Sequence, residues 1–381
     1  MKRPDFKSCV VVTYFVEGQP GFLDFSYRIK SLARNSRLTV VSNFPLTQIE
    51  LYEPSIEYVV IESGHGRLNW LLYLFRSALL IRDRSPSLVV ALASMTSPLS
   101  LLVGGTPTVT YWNEHPSHAA PKVPNFSPIL SGVRGVTRWL MFRGACQSSL
   151  VMPIGEAHRD DLIEHGCNPI KIRMLYMGVD QSFSCVAKAV KKEISDEPIN
   201  LIYVGSVQKD RGRDVMLEAM ALANSLARIA HLTIVGASDE QLKYCQNYVK
   251  ELGIENSVTL HGRVPGHLIP DYLGRADAGL CLWEDLPWYR FNPPTKLFEY
   301  LVAGLPVLAS NIRTHTEYVQ NGFNGLIFEY GSVGLANAIT QLHQSRDQLL
   351  SMSCRACESS AAYHWKTIEP EFIAAISKAT L

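Results

Sequence analysis

Short apolar runs alternate along the chain with longer stretches of helical spacing. Cys9–Thr13 (CVVVT), Leu38–Ser42 (LTVVS), Leu88–Leu92 (LVVAL), Pro107–Tyr111 (PTVTY) and Ser149–Met152 (SLVM) are short runs dominated by apolar and β-branched residues. The pattern repeats at Leu201–Val204, Leu232–Gly236, Val258–Gly262, Ala278–Leu282 and Leu305–Ser310. Such runs read as parallel strands buried on both faces. Lys171–Tyr176 adds a short candidate strand. Phe22–Arg34, Glu156–Glu164, Asp214–Ser225, Pro270–Ala276 and Val333–Ser345 carry helical spacing between them. Strand, loop, helix, strand, met twice over, predicts an α/β chain of two Rossmann-like units. A polar and charged run, 185–200, separates them as a linker.

The most pointed stretch is 292–311, NPPTKLFEYLVAGLPVLASN. Asn292 fits an N-cap, Pro293 the first helical position, Gly304 a left-handed stop and Pro306 the break beyond it. Around the wheel Leu297, Phe298, Leu301, Val302 and Leu305 share one side. Lys296, Glu299, Tyr300 and Ala303 share the other, predicted to be the polar face. A lysine in the first turn suits a phosphate, because the free amides and the helix dipole also favour an anion there. A carboxylate one turn deeper suits a ribose diol. The plain alternative is an i,i+3 surface pair worth a few tenths of a kcal/mol.

At 381 residues, 47% hydrophobic and 19% charged, the chain has material for two cores. Net charge is +1, so no bulk electrostatic footprint points to nucleic acid. The eight cysteines show no disulfide framework, and Cys354–Cys357 reads as incidental helix sequence; a reducing, cytoplasmic setting is expected. Met1-Lys-Arg leads into an apolar strand without a signal-peptide pattern, and no run reaches the roughly 18 apolar residues of a membrane span. Arg67–Arg84 (RLNWLLYLFRSALLIRDR) reads either as an amphipathic helix resting on anionic lipid or as a core helix. Apolar residues nearly all round favour the core. Arg134–Arg143 (RGVTRWLMFR) poses the same question, so peripheral membrane contact through 67–84 or 134–143 stays open. Trp112-Asn-Glu-His-Pro116 follows a predicted strand, where ligand crevices of parallel sheets lie.

The run KLFEYLVAGLPVLAS, followed by Glu317-Tyr-Val-Gln-Asn-Gly-Phe-Asn-Gly-Leu-Ile327, resembles the carboxyl-terminal signature of retaining, GT-B-fold glycosyltransferases of family 4. The resemblance implies a GT-B fold whose two parallel sheets face each other across a cleft. Domains are then 1–184 and 201–366, with 367–381 crossing back to the first. It makes Glu299 the ribose ligand and puts Asn292, Lys296 and Leu297 at the donor. Gly205, Ser206 and Arg211 become the diphosphate loop, and Gly262, Arg263 and Val264 the base site. His115 lies beside the transferred sugar with Glu114 as its neighbour, and Gly18 and Gly21 lie on the acceptor side.

Departures from the family pattern are specific. Ser206 stands where arginine is usual, which leaves Lys209 or Lys296 to complete the diphosphate grip. Phe291 stands eight positions before Glu299 where a glutamate is frequent, so Asn292 or Glu284 must read the sugar. Met177 replaces an asparagine before Gly178 and Asp180.

The implied activity moves a sugar, with retention, from a nucleoside-diphosphate sugar to a glycan or lipid-linked glycan. Arg211 and Lys296 would steady the departing diphosphate, with His115 at the reacting sugar. No Asp-x-Asp pair sits at a strand end, so no metal or other cofactor is expected. A sugar-nucleotide epimerase or hydrolase of the same fold, and a non-catalytic relative, are the alternatives. Turnover of donor without acceptor would mark the former, and failure to bind any nucleotide the latter.

Overall fold

A computed structural model describes residues 7–14, 22–46, 53–64, 66–119, 128–186 and 197–380. Gly18, Gly21 and the central linker residues 187–196 lie outside that set. The chain forms two compact units, one made of Met1–Gly178 with Trp365–Leu381, the other of Val179–His364. The first unit therefore ends at residue 178, earlier than expected from sequence, and its last helix is Trp365–Ala379.

The first unit holds a parallel sheet of β1 (Ser8–Val12), β2 (Arg37–Ser42), β3 (Glu57–Val60), β4 (Leu88–Ala91), β5 (Thr108–Trp112) and β6 (Leu150–Pro153). Their order is β3-β2-β1-β4-β5-β6. The second holds β7 (Ile199–Val204), β8 (Ala230–Ala237), β9 (Val258–Gly262), β10 (Ala278–Cys281), β11 (Val307–Ser310) and β12 (Gly325–Phe328), in the order β12-β11-β10-β7-β8-β9. Both sheets thus reverse direction at their first strand, which puts a topological switch point between β1 and β4 and another between β7 and β10. β4, β5 and β11 are buried along their whole length, as expected of strands covered on both faces.

Sequence reading missed β3, an edge strand whose EYVV is only partly buried, and β12. The expected strand at Lys171–Tyr176 makes only an isolated bridge, Val151 to Ile172. One cysteine reading also needs correction. Cys146 and Cys167 form a disulfide (Cα–Cα 4.4 Å), which removes the argument from cysteine pattern for a reducing compartment. Cys354 and Cys357 lie in the Leu349–Ser359 helix, as read from sequence, and Cys357 brings its sulfur to 3.0 Å from that of Cys185.

The Arg67–Arg84 helix buries one set of its apolar residues and leaves another in solvent. Trp70, Tyr73, Leu74, Ala78 and Ile81 enter the core, while Leu68, Leu71, Leu72, Phe75 and Leu79 remain exposed. Among the described residues no helix is long and apolar enough to cross a membrane.

Candidate active site

The site is built at the carboxyl ends of β7 and β10, beside the switch point of the second sheet. The helix that serves it runs Thr295–Ala303 and is capped by Pro294, so Asn292 and Pro293 precede it rather than begin it. Two consecutive prolines hold the approach extended, and Gly304 ends the helix at φ +79° as expected. The predicted polar face is not solvated: Lys296, Tyr300 and Ala303 are buried together with the apolar face. The reason is tertiary. The helix packs against β10 on one side and the Leu349–Ser359 helix on the other. Tyr300 lies against Gly279 and accepts the Val204 amide at 2.9 Å, which ties the helix to the end of β7.

That packing carries the Lys296 ammonium into the interior, 8% exposed. Its Nζ sits 3.5 Å over the Tyr203 ring and has no hydrogen-bond partner among the described residues. Burial pushes the Lys296 pKa down to about 7; Cys281 and Glu299 offset this in part, and Arg211 adds to it. Burial likewise raises the Glu299 carboxyl to about 7, against the pull of Lys296. An ion pair at this spacing on a solvated face would keep both groups charged at neutral pH. Here desolvation wins over their mutual attraction. Gly205 follows β7 at φ +122°, and a Cβ there would lie 3.3 Å from Lys296 Nζ, so only glycine lets the loop approach the amine.

Arg211 ends a 3-10 turn, Lys209–Arg211, just before the Arg213–Ala223 helix. Its Nε is buried without a hydrogen bond among the described residues. Burial lowers its pKa, but Tyr203, Tyr289 and Asp210 outweigh that and keep it above its ordinary value. Tyr289 donates to Asp210 at 2.8 Å, fixing the residue beside Arg211. Behind Lys296 stands His315, bonded to Ser310 (3.1 Å) and near Cys281 (3.5 Å); burial pushes its pKa down to about 3, so it brings no second charge.

The other predicted donor residues fall less centrally. Lys209 is exposed in the turn, so Lys296 is the lysine that lies against the Gly205 loop. Leu297 is fully buried and its amide donates to the Pro294 carbonyl, so it supports the helix and presents nothing to a ligand. Gly262 ends β9, two strands out from β7, and Arg263 and Val264 follow it, with Arg263 exposed. Glu284 is exposed, and Asn292 is partly buried. Trp283 and Tyr289, stacked at 4.4 Å, were not singled out from sequence. Position just past β10 was the signal that could have found Trp283.

In the first unit His115 is 1% exposed. Its Nδ1 accepts from the Ser117 amide (3.1 Å) and its Nε2 faces Asp161 Oδ2 at 3.0 Å, which assigns the Nε2–H tautomer. Burial lowers its pKa despite Asp161. His115 is thus a neutral, clamped ring whose nitrogens are already engaged, which makes it a rigid anchor of the loop after β5 and not a free proton carrier. Glu114 is partly buried, its amide held by Ser94 Oγ at 3.0 Å. Gly178 donates to the Asp24 carboxylate, and Asp180 caps a 3-10 turn, so both members of that motif have structural work.

Two α/β units with parallel sheets of this order have the architecture of the GT-B glycosyltransferases. Solved structures agree in fold: Anabaena Alr3699/HepE in complex with UDP (TM-score 0.75, 16% identity, 97% of this chain and 100% of that one) and WaaG, a glycosyltransferase involved in lipopolysaccharide biosynthesis (TM-score 0.71, 16% identity, 97% and 98%). Residues 187–358 match the family model of the glycosyl transferases group 1.

Among curated proteins, the amylovoran biosynthesis glycosyltransferase AmsK of Erwinia amylovora is 25% identical over 203 residues (52% of this chain, 48% of AmsK). An Escherichia coli enzyme, the UDP-Gal:alpha-D-GlcNAc-diphosphoundecaprenol alpha-1,3-galactosyltransferase, is 25% identical over 243 residues (60% and 59%). The chain spans about half the length of the first curated relatives it matches.

Proposed function

We propose that this chain is a retaining glycosyltransferase that takes its sugar from a nucleoside-diphosphate sugar and passes it to a glycan or lipid-linked glycan in polysaccharide or glycoconjugate synthesis. The observation that carries the reading is a pair of cations, the buried Lys296 and the partly buried Arg211, each with a buried nitrogen that has no hydrogen bond among the described residues, beside the glycine loop after β7. Native structures leave few buried donors unpaired. Two cations in that condition fit a polyanion, and Glu299, one helical turn from Lys296, fits a vicinal diol. As the glycosidic bond to the diphosphate breaks, negative charge gathers on the leaving oxygens. Fixed cations in a water-poor site stabilise that charge without reorganising. In this reading the cations replace a metal, and the diphosphate in turn raises the proton affinity of Lys296. Solved neighbours are described in complex with UDP and with UDP-glucose, which supports the donor class.

Thermal shift against UDP-, GDP-, ADP- and CDP-sugars tests the reading. At least one should stabilise the wild-type protein. Glu299→Ala should abolish that stabilisation while leaving the unliganded melt nearly unchanged. A variant that still responds like wild type removes Glu299 from the donor site.

The acceptor would be met at a membrane surface. The Arg67–Arg84 helix exposes Leu68 and Phe75, and the Pro128–Gln147 helix exposes Val136 and Trp139. Seven arginines and a single carboxylate, Asp83, lie on these two helices, in a chain of net charge +1. An exposed apolar strip edged by arginine fits an anionic lipid surface. Flotation with phosphatidylglycerol vesicles should carry the protein upward, and the double variant Phe75→Ser, Trp139→Ser should stay behind. Equal behaviour of the two would end this part of the proposal.

A further inference from the structure

Lys296 and Arg211 are not the only unsatisfied donors in this part of the second unit. Trp283, 6% exposed, has its indole Nε1 buried with no hydrogen-bond partner among the described residues. A buried indole N–H ordinarily finds an acceptor. This one is held away from adjusting itself. The Trp283 amide and carbonyl both meet Ser310 Oγ at 3.1 Å, which fixes the backbone at the end of β10. The ring is stacked on Tyr289 at 4.4 Å and lies 5.4 Å from His315.

Those two neighbours are the groups that border the cations. Tyr289 bonds to Asp210, next to Arg211, and His315 is close enough to Lys296 for that cation to help keep the imidazole neutral. The three orphaned atoms are alike in kind, since each is a donor. Water would satisfy an indole N–H singly, but three donors held near the carboxyl ends of the paired strands β7 and β10 call for a ligand with several acceptor oxygens.

Resting on the transferase reading above, we propose that Trp283 is a further binding residue for the donor. Its indole N–H donates to a diphosphate oxygen and shares that group with Lys296 and Arg211.

Trp283→Phe tests this, because it keeps the stack on Tyr289 and deletes the N–H. Calorimetric titration with UDP, GDP and inorganic pyrophosphate is compared between wild type and variant. The variant should bind about tenfold more weakly, as loss of a hydrogen bond to a charged group implies, and its unliganded melt should not fall. Equal affinities overturn the role of Trp283 and leave the transferase reading standing. A wild-type protein that binds none of the three overturns both.

Indole spectra of 15N-labelled wild type give a readout independent of the variant's folding. The chain has six tryptophans. The signal that Trp283→Phe removes should move downfield when the diphosphate binds, and a signal that stays put overturns the proposal.

Discussion

Each unit buries a cation, and the two are treated in opposite ways. Arg28 in the first unit is 0% exposed. It bonds to Asp24 (3.2 Å), to the Tyr111 hydroxyl (3.1 Å) and to the Tyr176 carbonyl (2.9 Å), its guanidinium lies 4.1 Å from the Tyr111 ring centre, and only its Nη1 has no hydrogen bond among the described residues. Burial disfavours its charge, but Asp24 and Tyr111 outweigh that and hold its pKa above the ordinary value. Phe372 and Trp365 of the returning helix lie within cation–π range. Lys296 in the second unit has an aromatic ring beneath it and no acceptor, and its pKa falls. Burial alone therefore does not mark a functional cation. The one with a buried carboxylate beside it belongs to the architecture; the one with no hydrogen-bond acceptor is the one we propose to bind an anion.

The comparison breaks most visibly at Arg28. Arg28→Met leaves Asp24 buried without its partner and should cost about 3–5 kcal/mol of stability, the usual range for breaking a buried pair from one side. Urea denaturation measures it, and a loss under about 1 kcal/mol would show the pair is not structural. Lys296→Met should do the reverse. The free protein keeps or gains stability, because a desolvated amine is gone, while about 1.5–3 kcal/mol of stabilisation by a bound diphosphate is lost. If the free protein melts far lower, Lys296 is a structural group like Arg28.

The smallest effect is in pH. With the Lys296 pKa lowered to about 7 in the free protein, the amine is neutral above that value, and binding an anion must return its proton. Affinity for a nucleoside diphosphate should fall as pH rises above 7, by up to about tenfold per unit. Proton uptake, read as a dependence of the calorimetric enthalpy on buffer, should vanish in Lys296→Met. Uptake that persists there assigns the proton to another group.

Much of this was legible residue by residue. β4 and β11 were readable because strands buried on both faces are apolar throughout, while β3 at an edge is half polar and was not. The Lys296–Glu299 spacing and the Gly304 stop were readable from helical period. Their burial was not, since it follows from β10 and the Leu349–Ser359 helix closing over both sides. Arg28 was only one charge in a predicted helix. Its partners Tyr111 and Tyr176 are 83 and 148 residues away. The Cys146–Cys167 bond escaped for the same reason, as spacing does not tell which cysteines meet.

By itself, then, the sequence determined the alternation of strands and helices, the two-unit α/β class and the residue types gathered near one helix start. These follow from local periodicity, which each segment carries within itself. Only the tertiary structure decided which charges lose water and which regain a partner. Desolvation depends on what packs over a group, and in this chain those neighbours come from elements far away in sequence.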